Sequence, residues 1–297
     1  MNAEQQLIHE IHVPVQTRTD SFGDKNIHYA VSGKGNPLLL LHGANIGWGQ
    51  WYKNIAYLSQ FFQVYALDLP GSGGSTKIDF HKANLEQDFI APVEQFIQRH
   101  QLHRISIIGH SFGGWIAFQI AKRKNVFIQK IVAVAPVGCS KKVPVAQFPI
   151  TIYPIAGLIA KTAMKPTEQN LKKFLESAFY DKMVLEDVLV RYFYEGSQTA
   201  GSSHPLLFLN RMTDPFRIKG EVLLEKIFPA VEQPCLIVWG GEDHLLPSKQ
   251  GKEMCSLLPN GHIVLMPDTG HVPFIEQPEI FHSHISHFLD LHTHVAP

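Results

Sequence analysis

The chain has 297 residues, 45% of them hydrophobic and 18% charged. That composition excludes a disordered polyelectrolyte and suits one large α/β domain with an insertion, or two smaller domains. Lysine plus arginine and aspartate plus glutamate balance at 26 each, so no field of one sign favours nucleic acid or an anionic membrane surface. Three cysteines, Cys139, Cys235 and Cys255, are odd in number and lack metal-type spacing, which argues against a disulfide framework or zinc site and for a reducing cytoplasm. The opening residues carry no basic-then-apolar signal, and no window is long enough to span a bilayer. A soluble, cytoplasmic protein without stable membrane insertion is expected.

Residues 1–35 are polar with short alternating stretches at 16–22 and 26–31, which read as edge strands in a hairpin. The run Pro37-Leu38-Leu39-Leu40-Leu41 has no polar alternation, as expected of a strand covered on both faces. It ends in His42-Gly43-Ala44-Asn45, by itself an ordinary strand-exit loop, though one able to aim a backbone N–H at a neighbouring site. Trp51, Ile55 and Leu58 then fall at helical spacing, and residues 63–67 read as the next strand. The loop Asp68-Leu69-Pro70-Gly71-Ser72-Gly73-Gly74-Ser75 lacks the Lys-Ser/Thr ending of a phosphate loop and the Gly-x-Gly-x-x-Gly of a dinucleotide site, so it is a structural turn. Leu85, Phe89, Val93, Phe96 and Ile97 mark one face of a helix over 85–100.

The next stretch organises the chain. Residues 105–108 form a β-branched apolar run, followed by Gly109-His110-Ser111-Phe112-Gly113-Gly114 and then by helical spacing to about Arg123. A buried strand, a tight turn and a helix are written this way, with Ser111 on the turn. Gly109 and Gly113 remove side chains where a strand reversing into a helix crowds its own backbone. The helix N-terminus would then face any oxyanion formed at Ser111. Residues 128–134 follow as another strand, so strands and helices alternate and a parallel sheet with helices on both faces is implied.

That rhythm stops at residue 140. From 140 to 216 helical stretches are broken at Pro144, Pro149, Pro154, Pro166, Pro205 and Pro215, which reads as an inserted helical cap between core parts 1–139 and 217–297. Its apolar stretch 148–164 either lines a pocket, touches lipid or simply packs the cap on the core. Trp48, Phe148, Tyr153, Ile155 and Leu158, with Phe174 and Phe179, are candidates to line a substrate pocket. The core resumes with a helix over 221–228, a strand over 234–239, a helix over 252–258 and a strand over 262–266. A closing helix over 278–291 carries Ile280, Phe281, Ile285, Phe288 and Leu289 inward. His282, His284, His287, His292 and His294 dot this last segment; His284 and His287 are a helical turn apart, but no carboxylate or cysteine joins them, so a solvated helix face rather than a metal site is expected.

Ser111, Asp243 and His271 each lie just past a predicted parallel strand, in the order nucleophile, acid, histidine, at the strand ends where open sheets place their sites. A serine hydroxyl needs an imidazole to take its proton, and the imidazole needs a carboxylate to fix its tautomer. Glu242 adjoins Asp243 and is the alternative acid. The N–H groups of Ala44 and Phe112 are the natural oxyanion donors. Together with Leu41-His42-Gly43, the Asp68–Ser75 loop, Trp239-Gly240-Gly241-Glu242-Asp243 and Gly270-His271, this chain resembles the α/β-hydrolase family over nearly its whole length.

The resemblance implies an α/β-hydrolase fold with a mostly parallel sheet and a helical cap, Ser111 as nucleophile, Asp243 as acid, His271 as base and no metal or organic cofactor. It implies an acyl hydrolase acting on a small apolar ester. Family members that use an aspartate nucleophile, the dehalogenases and epoxide hydrolases, are excluded by the serine at 111. Carbon-carbon bond hydrolases, peroxide-forming members and hydroxynitrile lyases share the triad and stay open, as does a non-catalytic ligand receptor on the same scaffold.

Overall fold

The computed structural model describes residues 1–44, 46–143, 145–162, 167–199 and 205–291. Asn45, Pro144, Pro166, the last residues of the 148–164 stretch, His292 and His294 lie outside them. The chain opens on a helix, α1 (Ala3–Ile11), in a stretch the sequence reading described only as polar. Asn2 caps it: its side chain accepts the Gln5 N–H while the Gln5 side chain accepts the Asn2 N–H, and Ala3, Leu7 and Ile11 are buried at four-residue intervals.

The expected hairpin follows as β1 (Gln16–Phe22) and β2 (Lys25–Ser32). Then come β3 (Asn36–Leu41), α2 (Tyr52–Leu58), β4 (Phe62–Leu67), α3 (Ala91–Arg99), β5 (Ile105–His110), α4 (Phe112–Arg123) and β6 (Ile128–Val134). Residues 86–90 enter α3 as a wide turn of π type. Four helices follow: α5 (Tyr153–Lys161), α6 (Glu168–Glu176), α7 (Asp187–Thr199) and α8 (Pro205–Arg211). A two-residue ribbon, β7 (Thr213–Asp214) with β8 (Arg217–Ile218), leads back to β9 (Cys235–Gly240), α9 (Lys249–Cys255), β10 (Gly261–Met266), α10 (Pro273–Glu276) and α11 (Pro278–Phe288).

The eight-stranded sheet runs β1-β2-β4-β3-β5-β6-β9-β10. The β1–β2 and β2–β4 pairs are antiparallel, and the other five are parallel. Alternation divides the apolar residues between two cores, because successive side chains leave a strand on opposite faces. Leu39, Ile107, Ile131 and Ile237 pack on one side, and Leu38, Leu40, Ile108, Val132 and Val238 on the other. Register aligns the strand ends: Leu41 opposite Gly109, Gly109 opposite Ala133, Val134 opposite Val238 and Met266 opposite Gly240. The loops after these strands therefore emerge along one rim.

Two expected elements differ. In place of a helix over 221–228 there are two separate 3-10 turns, Gly220–Val222 and Phe228–Ala230. The Val222 carbonyl is taken by the Trp115 indole (2.8 Å), and the Leu224 N–H by the Gly138 carbonyl (2.9 Å), so neither is free for a helical ladder. In α11, Phe281, Ile285 and Leu289 face the core, but Ile280 is exposed, a quarter-turn off that stripe. No described helix is long and apolar enough to cross a membrane, and all three cysteines are buried and unpaired.

Candidate active site

Ser111 stands between β5 and α4 at φ 50°, ψ −108°, a conformation that a residue with a side chain adopts only under constraint. Its N–H donates to the Val134 carbonyl (2.8 Å) and its carbonyl accepts from Val137 (3.2 Å), tying the turn to the end of β6. The turn is too tight for side chains on either flank: a Cβ on Gly109 would stand 2.5 Å from the Gly113 oxygen, and one on Gly113 2.2 Å from the Leu41 oxygen. His110 and Phe112 are buried while Ser111 is partly exposed, so the hydroxyl-bearing residue is the one presented.

The acid and the histidine meet directly. His271 Nδ1 donates to Asp243 Oδ2 at 2.7 Å, with both side chains nearly inaccessible. A carboxylate only accepts, so in the neutral imidazole this bond selects the tautomer with the proton on Nδ1 and the lone pair on Nε2. The other oxygen of Asp243 accepts from the Leu245 and Leu246 N–H groups at 2.9 and 2.8 Å. These bonds hold the ionised carboxylate in place. The Trp239 indole braces the same loop through the Leu246 carbonyl (2.7 Å). Glu242, the alternative acid, is exposed.

His271 is held against the Ser111 turn through His110. The His110 Nε2 donates to the His271 carbonyl (3.0 Å), and the two rings lie 4.6 Å apart. His42 organises the loop after β3: its Nδ1 donates to the Gly43 carbonyl (2.5 Å), and its Nε2 accepts the Leu69 N–H (2.8 Å). Complete burial pushes this imidazole down to about 4, so it stays neutral and keeps that donor–acceptor pattern. Gly43 runs beside the turn, its Cβ position 3.5 Å from that of Ser111. No hydrogen bond from the Ala44 or Phe112 N–H to another described residue occurs.

The Asp68–Ser75 loop is closed by its own first residue. Asp68 is buried, accepting from Trp48 N–H (2.6 Å) and Gly74 N–H (2.8 Å), and Ser75 Oγ donates to its carbonyl (2.7 Å). Burial raises the Asp68 carboxyl to about 6.

Of the seven pocket candidates, Phe179 runs beside the His271 loop, a Cβ on Gly270 standing 3.1 Å from its carbonyl carbon; five others have the following surroundings. Trp48 is fully buried, its indole N–H on Glu4 (2.9 Å) and its ring edge-on to Tyr192. Phe148 packs edge-on with Phe216 at 5.1 Å, Tyr153 stacks on His81 at 3.5 Å, and Ile155 and Leu158 are exposed. Among the described residues none of the five is joined by a hydrogen bond or ring contact to Ser111, Asp243 or His271. Beyond Phe179, two residues of the 140–216 segment that sequence reasoning did not name also approach the site. Phe208 packs edge-on against Phe112 (4.6 Å), and the Ala178 carbonyl accepts the His271 N–H (2.7 Å). A partner more than sixty residues away leaves no local pattern to read.

Residues 38–283 match the alpha/beta hydrolase family, and the chain belongs to that family. A pimeloyl-[acyl-carrier protein] methyl ester esterase of Vibrio atlanticus is 24% identical over 262 residues, 88% of this chain and 97% of the relative. Among solved structures, a membrane phospholipase A described as a bacterial virulence factor superposes with TM-score 0.78 at 23% identity, covering 97% of this chain and 89% of that one. A 2-hydroxy-6-oxo-6-phenylhexa-2,4-dienoate hydrolase from Rhodococcus sp. strain RHA1 does so with TM-score 0.77 at 18% identity, covering 94% and 99%.

Proposed function

We propose that the protein is a serine hydrolase that cleaves small apolar carboxylic esters through an acyl-enzyme. The observation that carries this reading is the 2.7 Å bond from His271 Nδ1 to Asp243 Oδ2, formed beside the constrained turn that presents Ser111. In this reading Ser111 Oγ attacks the ester carbonyl while His271 Nε2 takes its proton, and Asp243 stabilises the imidazolium. The Ala44 and Phe112 amides receive the oxyanion; losing one such donor costs about 3 kcal/mol of transition-state stabilisation. His271 then protonates the departing alcohol, and a water activated by the same nitrogen releases the acid. The similarity to a methyl ester esterase supports the ester as substrate. The helices of 145–211 serve as a cap that shapes the acyl or alcohol pocket, and the three unpaired cysteines suit a reducing cytoplasm.

The test is hydrolysis of p-nitrophenyl esters of graded chain length, with fluorophosphonate labelling of the serine. Ser111→Ala should abolish labelling and lower turnover by a factor on the order of 10³ or more. Binding of esters without turnover by the wild type would favour a receptor instead. The structural neighbour that hydrolyses a phenylhexadienoate favours one second reading, cleavage of a carbon-carbon bond in a vinylogous diketone. Turnover of such a diketone in preference to every ester would establish it.

A further inference from the structure

One carboxylate, that of Glu276, bridges the loop that carries His271 to the helical insertion. Glu276 Oε1 accepts the Gly270 N–H at 2.7 Å, and its Oε2 accepts the N–H groups of Tyr180 and Asp181 at 2.8 and 3.0 Å. Gly270 immediately precedes His271, whereas Tyr180 and Asp181 lie between α6 and α7. Among the described residues no lysine or arginine pairs with Glu276, so its acceptor capacity is directed at these three amides.

The two segments also touch without it. His271 N–H donates to the Ala178 carbonyl at 2.7 Å, and a Cβ on Gly270 would stand 2.5 Å from that same oxygen and 2.8 Å from the Tyr180 nitrogen. Glu276 itself projects from a fixed base. It ends α10, whose Phe274 stacks on Trp51 at 4.4 Å and gives its carbonyl to the Asn54 side chain at 3.0 Å.

We propose that Glu276 is a positioning residue that couples the insertion to His271, so that seating residues 178–181 and aligning the imidazole are one event. The proposal rests on the reading of His271 as the general base. Three N–H donors converge on one group, and only a carboxylate presents acceptors to all of them; a carboxamide would turn its NH₂ toward either Gly270 or the Tyr180–Asp181 pair. When that clamp opens, the backbone on which His271 rides keeps the bond to the Ala178 carbonyl but loses the tie through Glu276. Misplacing a catalytic group by about 1 Å costs on the order of 10²-fold in rate.

The experiment compares Glu276→Gln with wild type on p-nitrophenyl acetate, with fold monitored by near-UV circular dichroism and thermal unfolding. The expected result is a kcat lower by roughly 10- to 100-fold, KM changed by less than about threefold. Fluorophosphonate labelling of Ser111 should slow by a similar factor, and amide exchange should quicken at Gly270, Tyr180 and Asp181. Should Glu276→Gln not fold, Tyr180→Pro removes one N–H of the clamp from the insertion side at an exposed ring, and the same loss of kcat is expected. A folded variant with faster exchange at these amides but wild-type kcat overturns the proposal and leaves Glu276 a structural tie. Asp243→Asn and Ser111→Ala in the same assay keep the two readings apart. If they lose activity and the clamp variant does not, only the coupling fails; if they retain activity, the triad reading fails and the coupling falls with it.

Discussion

At Asp243 the division of labour between the two carboxylate oxygens decides what a substitution does. Oδ1 is occupied by two backbone N–H groups and Oδ2 by the His271 ring. Asp243→Asn would keep its oxygen on the two amides and turn its NH₂ toward Nδ1, forcing the imidazole to accept there and carry its proton on Nε2. In the proposed mechanism the hydroxyl of Ser111 would then meet a donor rather than a base. Ester turnover should fall about 10⁴-fold with the fold unchanged, whereas a loss under tenfold would mean that the pair does not set the tautomer. The Ser111 turn and the Asp243–His271 contact were legible in the sequence because each residue follows an apolar strand run in a short, glycine-bearing turn. The surroundings of the pocket candidates were not. Exposure of Tyr153, Ile155 and Leu158 depends on how proline-broken helices sit on the core, and Trp48 finds its partner on α1, a helix the sequence reading did not contain.

That helix shows what an element-scale reading overlooks. Its signals were present: an Asn-x-x-Gln capping pair at Asn2 and Gln5 and apolar residues at 3, 7 and 11. A polar overall composition obscured them. In the fold α1 is a strut between the core and α7. Glu4 accepts from the Trp48 indole and pairs with His28, and the Ala3 N–H donates to Glu195 at 2.9 Å. Leu7 is fully buried in the core on that side of the sheet. Leu7→Ala should therefore cost about 2–5 kcal/mol of unfolding free energy, as for other well-packed sites, measured by urea denaturation. A cost below 1 kcal/mol would show that α1 is not docked. By contrast, the strands of the eight-stranded sheet and α4 were readable almost to the residue, whereas the short β7–β8 ribbon was not read at all.

Across the whole molecule, buried imidazoles set the response to acid. His42 and His282 are pushed down to about 4, both by burial, and His110 lies well below its ordinary value, by burial first and then by the nearby His271. Unfolded, each takes up a proton near pH 6.5; folded, His42 and His282 do so only near 4, and His110 only well below its ordinary value. The unfolded chain thus binds more protons in that window, and stability falls as pH drops, by about 1.4 kcal/mol per pH unit for each histidine. Asp68 acts in the opposite sense. With its carboxyl raised to about 6, it protonates in the fold before it does in the unfolded chain, offsetting roughly one histidine between about pH 6 and 4. The net expectation is a urea midpoint that declines from pH 7 to pH 5. His282→Phe, which keeps the stack on Tyr57, should flatten that decline, and an unaltered slope would remove His282 from the account. None of this was visible beforehand, because a histidine's burial is a property of the packed molecule and not of its neighbours in sequence.

Strands β6 and β9 lie side by side, Ile131 opposite Cys235 and Val134 opposite Val238, although about a hundred residues separate them along the chain. The polypeptide leaves the scaffold and returns next to where it departed. A foreign excursion of different length could be grafted at this seam without re-threading the sheet, leaving the turns at Ser111, Asp243 and His271 where they are. The graft would have to bring its own pair of backbone donors for the carboxylate waiting at the end of α10.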